Sequence, residues 1–159
     1  MYHKKDHADV FNPFVSIALT TSRSEKFLKE QMDSLLDQTY KNLEIVISHD
    51  ECGDNTAKML NNYVKQDKRV RWEYNKLLKG VTKNTENSIL MCKGEIIFLC
   101  DHDDIWHEEE SERVLNVAMK YPDFLDPRWQ PVWNAVRAKR SPWTKPQGSK
   151  AATLDRRKA

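Results

Sequence analysis

The stretch EIIFLCDHDDIW (residues 95–106) decides how the rest of the chain is read. After Glu95 the run is apolar and partly β-branched, and residues 95–100 read as a buried strand. The run stops abruptly at Asp101, His102, Asp103 and Asp104. Three carboxylates in four residues repel one another. In open α/β sheets ligands bind outside the carboxyl ends of the strands. The meaning of the cluster therefore depends on whether the chain builds such a sheet.

The sequence on the N-terminal side predicts one. FVSIALT (14–20) and LEIVIS (43–48) read as buried strands, and VRWEYN (70–75) as a third, more clearly alternating one. Between the first two, Phe27, Leu28, Met32, Leu35 and Leu36 recur at helical spacing, with Ser24 as a cap for a helix starting near Glu25. Asp54 is positioned to cap a helix running to about Gln66, with Met59, Leu60, Tyr63 and Val64 inward. A third helix, with Ile89, Leu90 and Cys92 on its apolar side, ends at Lys93-Gly94, and Gly94 is the expected left-handed cap. A Glu-rich helix over about 107–120 closes the ordered part. The order β-α-β-α-β-α-β-α implies crossover connections and a mostly parallel sheet with helices on both faces. Its strand ends carry Thr20-Thr21-Ser22, Ser48-His49-Asp50 and Asp101 to Asp104.

Two readings of the carboxylates follow. Asp103 or Asp104 can cap the next helix. Alternatively, hard oxygen donors suit a divalent cation such as Mg2+ or Mn2+, bound together with substrate phosphates. Asp101 and Asp103 leave the strand on one side, and a cation would remove their repulsion. Thr20 offers a hydroxyl, and Asp50 an acceptor suited to a nucleobase N–H, at the neighbouring strand ends. His102 and His107 are softer ligands of the zinc type, but a continued pleat turns His102 away from the aspartates as an exposed spacer. Cys100 reads as a small buried hydrophobe and Trp106 as a packing anchor under the acidic loop.

VSIALTTSRSEKFLKEQMDSLLDQTYKNLEIVISHDECGDNT (15–56) resembles the opening of a family-2 glycosyltransferase. SLLDQTYKNLEI and GDNT carry the likeness, and KGEIIFLCDHDDIW (93–106) is similar to the family's Asp-x-Asp segment. CDHDDIW further resembles the rhamnosyltransferase-like members. The resemblance covers roughly residues 13–120. It implies the GT-A (Rossmann-like) α/β fold, here incomplete at the C-terminal end, and the nucleotide-sugar-binding half of the enzyme. It implies that Thr20 and Asp50 contact the base and ribose of a nucleotide-diphosphate-sugar donor (UDP- or dTDP-linked). Asp101 holds the ribose or assists the metal, Asp103 binds Mn2+ or Mg2+, Asp104 supports that metal, and Lys83 helps hold the nucleotide. His49 stands where the family has an Asp, and ECG replaces the commoner GST.

Composition frames this reading. No apolar run approaches the ~20 residues of a membrane-spanning helix, and the N-terminus lacks the apolar core of a secretory signal. Three widely spaced cysteines argue against a disulfide framework and against a zinc site and fit a reducing compartment, so a cytoplasmic location is expected, with the inner face of the cell membrane open to the chain through its basic tail. Residues 127–159 hold nine of the 26 Lys/Arg and one of the 24 Asp/Glu. The expected organisation is an N-terminal extension (1–12), a nucleotide-sugar-binding domain (13–121) and a basic, Pro- and Trp-containing tail (122–159). In the tail Trp129, Val132, Trp133 and Val136 share a helical face beside Arg137, Lys139 and Arg140. After Tyr121 nothing resembles the family's acceptor-binding half, which supplies the base. Asp123 and Asp126, in a Pro-rich stretch without a supporting strand, are the candidates left for that base, and the domain is expected to be truncated after about residue 121. Three functions stay open. One is a metal-dependent glycosyltransferase acting on a saccharide acceptor in cell-surface polysaccharide synthesis. The second is a nucleotide-binding module without catalysis. The third is an interaction protein whose tail meets an anionic membrane or nucleic acid, without specific nucleic-acid recognition.

Overall fold

The computed structural model describes residues 12–120. The readings made for residues 1–11 and for the tail, including Asp123, Asp126 and the Trp129–Val136 face, lie outside the described residues.

Eight elements alternate as the sequence predicts: β1 (Val15–Thr21), α1 (Leu28–Leu36), β2 (Leu43–His49), α2 (Thr56–Gln66), β3 (Val70–Tyr74), α3 (Val81–Met91), β4 (Ile96–Cys100) and α4 (Glu110–Lys120). The strands form one parallel sheet in the order β3-β2-β1-β4. This is the α/β architecture expected. β1 and β2 are buried along their whole length, which is why they read as continuous rather than alternating runs.

The sheet has two unlike faces. Val15, Ile17 and Leu19 of β1, with Leu43, Ile45 and Ile47 of β2, pack against Leu28, Met32 and Leu35 of α1, Leu60 of α2 and Leu115 of α4. This is the main core. On the other face β1 and β2 present Ser16, Ala18, Thr20, Glu44, Val46 and Ser48, and α3 covers them. There the apolar face expected of α3 is not the buried one. Asn84, Asn87 and Ser88 are buried, whereas Ile89 and Leu90 are only partly covered. The polar helix face answers a polar sheet face: Asn87 Nδ2 donates to Ser48 Oγ at 2.8 Å and Asn84 Nδ2 to the Thr21 carbonyl at 3.2 Å.

Three local expectations are corrected. α1 starts at Leu28, not near Glu25. The Ser24 side chain accepts from the Ser22 N–H rather than capping, and its carbonyl takes the Phe27 and Leu28 N–H groups. Val64 is 40% exposed instead of inward. Gly94 is not a left-handed cap; the left-handed glycines are Gly53 and Gly80. Gly94 is required for space, because a Cβ there would lie 2.4 Å from Ser16 N, and its N–H donates to Ser16 Oγ at 2.7 Å. Helices lie on both faces of the sheet, as expected. Among the described residues α3 packs on β1 and β2, β4 is an edge strand, and Leu99 is 59% exposed. No described helix is long and apolar enough to cross a membrane.

Candidate functional site

Parallel pairing brings the polar strand ends level with one another. Thr20 pairs with Ser48, Thr21 with His49, and Leu19 with Cys100, which sets Asp101 beside Thr20. Neighbouring strands lie about 4.8 Å apart, so Thr20, Asp50 and the Asp101–Asp104 turn share one edge of the sheet.

Each predicted residue has a definite place there. Thr20 is 6% exposed and Asp50 7%. Asp50 is already engaged: Asn75 Nδ2 donates to its Oδ1 at 2.7 Å and the Gly80 N–H to its Oδ2 at 2.8 Å. It thereby ties the end of β3 to the start of α3, and Gly80, at φ 123°, supplies the backbone turn. Lys83 lies in the first turn of α3, where Nζ pairs with Glu86 Oε2 at 2.5 Å. Asp101, Asp103 and Asp104 are exposed on a turn closed by the Asp104 N–H donating to the Asp101 carbonyl at 3.3 Å. His102 is half-buried, with its ring edge-on to Phe27, rather than an exposed spacer. Cys100 is buried, and burial pushes its thiol up to about 12, which removes it as a nucleophile near neutral pH. Trp106 packs against Phe98 beneath the turn, as expected of an anchor.

The sequence reading missed what holds this turn. Ser34 Oγ accepts the Trp106 N–H at 3.1 Å. Gln38 is buried, and its Nε2 donates to the His107 carbonyl at 2.7 Å. Its Oε1 accepts from both the N–H and the hydroxyl of Ser111. The segment after α1 is thus stapled to the segment after β4. The signal was a polar pair, Ser34 and Gln38, at the end of an apolar helical register.

A second missed feature lies at the end of β2. Among the described residues, one group of three potential metal ligands has all its ligand atoms within 4.8 Å of one another: His49, Cys52 and Asp54. The three aspartates of the β4 turn do not form such a group. Burial lowers the pKa of His49, against the opposing hydrogen bond to Thr21, and so favours its neutral form. Burial alone would raise the carboxyl of Asp54. Hydrogen bonds from the Thr56 hydroxyl and N–H, from Cys52 and from the Glu25 N–H outweigh it and hold that carboxyl below its usual value. Glu25 answers by accepting from the Asn55 N–H and amide at 3.1 and 2.8 Å. The β1–α1 and β2–α2 loops are clasped together in this way.

Residues 16–157 match the family described as glycosyl transferase family 2. The match runs past residue 121, where charge and pattern change in the sequence. Glycosyltransferase GlyG of Streptococcus pneumoniae is 32% identical over 98 residues, covering 62% of this chain and 33% of that protein. The GalNAc(5)-diNAcBac-PP-undecaprenol beta-1,3-glucosyltransferase of Campylobacter jejuni is 30% identical over 93 residues, covering 58% of this chain and 30% of that protein. The chain thus spans about a third of the length of these relatives. Among solved structures, S. aureus TarS 1–349 superposes with a TM-score of 0.62 at 21% identity, over 68% of this chain and 33% of that one. Mannosyltransferase PcManGT of Pyrobaculum calidifontis, solved with GDP-Man and Mn2+, gives 0.60 at 19% identity, over 70% and 33%. The sheet order and these superpositions show the GT-A α/β fold, and the chain belongs to glycosyl transferase family 2.

Proposed function

We propose that the chain binds a nucleotide-diphosphate sugar, UDP- or dTDP-linked, across the carboxyl ends of β1, β2 and β4, as the donor-binding part of a glycosyltransferase. The reading is supported above all by the level placement of Thr20, Asp50 and Asp101 at one sheet edge in a member of this family. Thr20 and Asp50 take the nucleoside side, with Asp101 toward the ribose and Lys83 toward the phosphates. TarS has been solved with UDP and with UDP-GlcNAc, and PcManGT with GDP-Man and Mn2+, which fits this class of donor.

Asp103 and Asp104 fit a hard divalent cation, Mn2+ or Mg2+. They are exposed oxygen donors on one tight turn, and among the described residues neither is committed to an ion pair. Such a cation neutralises charge on the leaving diphosphate. The protein's own part is to hold the turn in place through Ser34 and Gln38. Transfer to a saccharide acceptor, in polysaccharide synthesis at the inner face of the cell membrane, completes the proposal. A base for the acceptor hydroxyl is assigned to no described residue.

The test is thermal stability with UDP, GDP and dTDP, each with Mn2+ or EDTA, for wild type and Asp103→Asn. Ligand at about 100 times its Kd adds about 2.7 kcal/mol. A Mn2+-dependent shift lost in the variant is expected. A cooperatively melting protein that shifts with none of the nucleotides overturns the reading.

A further inference from the structure

We propose that His49, Cys52 and Asp54 form a second metal site, of the zinc class, in which one imidazole nitrogen, one thiolate and one carboxylate oxygen hold the ion and water completes the tetrahedron. This is chemically distinct from the hard-oxygen turn at Asp103 and Asp104, because a nitrogen–sulfur set favours softer ions.

The spacing is close to what the ion needs. Ordinary zinc–sulfur, zinc–nitrogen and zinc–oxygen bonds in a tetrahedron put ligand atoms about 3.5 Å apart. Cys52 Sγ lies 4.0 Å from His49 Nε2 and 3.3 Å from Asp54 Oδ1. The His49 and Asp54 ligand atoms lie within 4.8 Å of each other, so a shift of up to about an ångström, within a loop that is partly exposed, closes the set.

Each ligand already has a supporting contact. His49 Nδ1 lies 3.3 Å from the Thr21 carbonyl and 3.0 Å from its hydroxyl. A proton on Nδ1 donated to that carbonyl leaves the Nε2 lone pair facing Cys52, the arrangement that orients metal-bound histidines. The Arg23 N–H donates to Cys52 Sγ at 3.1 Å. Arg23 does so from φ 52°, a left-handed conformation that costs a side-chain-bearing residue energy. Asp54 Oδ2 accepts from the Thr56 hydroxyl at 2.9 Å, and Oδ1 accepts the Thr56 N–H at 3.1 Å while also facing the sulfur. At present the thiol proton lies between Sγ and Oδ1. Metal binding replaces it and releases that proton to solvent, with no change in oxidation state. The bound ion would lock the loop that begins at Asp50 and joins β2 to α2.

The proposal is independent of donor binding, and its test separates the two. Tag-free, reduced full chain, stripped with EDTA and dialysed, is titrated with Co2+ and then Zn2+. One equivalent of Co2+ should produce a thiolate-to-cobalt charge-transfer absorption, bleached by one equivalent of Zn2+. Cys52→Ser should abolish the band while leaving the circular dichroism unchanged, since Cys52 is a half-buried loop residue. His49→Gln should weaken binding at least tenfold. Cys92→Ser and Asp103→Asn should retain the band. Absence of the band in folded wild-type protein, its persistence in Cys52→Ser, or its loss in Asp103→Asn each overturns the proposal.

Discussion

Gln38 and Ser111, 73 residues apart, are joined twice: Gln38 Oε1 accepts the Ser111 N–H at 2.9 Å and its hydroxyl at 2.8 Å. Both residues are fully buried, and Gln38 Nε2 also closes on the His107 carbonyl. The acidic turn between them is therefore positioned from α1 as well as from β4.

Gln38→Leu strands the Ser111 and His107 groups without partners. An unsatisfied buried polar group costs about 1–3 kcal/mol. The variant should lose stability by about that amount in urea denaturation. Amide exchange should accelerate over residues 105–111 more than in β1 or β2. Unchanged exchange in that segment would show that the staple does not hold the turn.

Gly94 and Gly53 should respond oppositely to a side chain. Gly53, at φ 77°, faces open space, and Asn adopts that conformation readily, so Gly53→Asn should be nearly neutral. At Gly94 the added carbon meets the backbone of Val15 and Ser16 at 2.7 and 2.4 Å. Gly94→Ala should cost about 1–3 kcal/mol, as overpacking does. Chemical denaturation midpoints of the two variants check this.

Glu44 sets an acid limit at the opposite end of the sheet. Burial would raise its carboxyl. Hydrogen bonds from Arg71, Ser16 and the Lys93 N–H outweigh that and keep it below the usual value. A lowered folded pKa gives stability that is full above the unfolded value of about 4.3 and is lost as pH falls through the folded one. Wild type should therefore lose more stability than Glu44→Gln between about pH 5 and about pH 3. The variant should already be weaker near neutrality, because Arg71 keeps its charge and loses its partner. Urea melts across that range decide it, and parallel pH profiles would exclude the assignment.

Among the described residues β4 is an edge strand, and its exposed apolar groups should make the chain self-associate. Leu99 and Ile105 are 59% and 65% exposed beside a cleft lined also by Ile97, Phe98, Trp106 and Val114. Charged residues on such edges suppress edge-to-edge pairing. Leu99→Lys should lower concentration-dependent association in sedimentation velocity without lowering the melting temperature.

The fold was legible wherever apolar pattern and burial coincide. Val15–Thr21 and Leu43–His49 are buried throughout, and their β-branched runs announced it. That Thr20, Asp50 and Asp101 stand at the carboxyl ends of parallel strands followed from the alternation of strands and helices, whereas their level placement came from the register of the sheet. α3 misled because its buried residues are polar. Periodicity reads burial from hydrophobicity, and Asn84, Asn87 and Ser88 are buried by hydrogen bonding to a sheet face that is itself small and polar. Gly94 misled because glycine after a helix usually means a left-handed turn, and here it means contact with Ser16. The His49–Cys52–Asp54 group escaped notice because its relevance lies in how the Thr21 and Arg23 backbone of another loop turns toward it.

The placement of β1 between β2 and β4 also has a consequence in time. Ile17 meets Ile45 after a short stretch of chain but meets Phe98 only after one nearly three times as long. Closing the longer loop costs roughly 1 kcal/mol more chain entropy, and distant pairings form more slowly. β1, β2 and the helix between them can assemble as a nucleus while β4 is still seeking its place. The carboxylates of the acidic turn are therefore among the last groups to arrive.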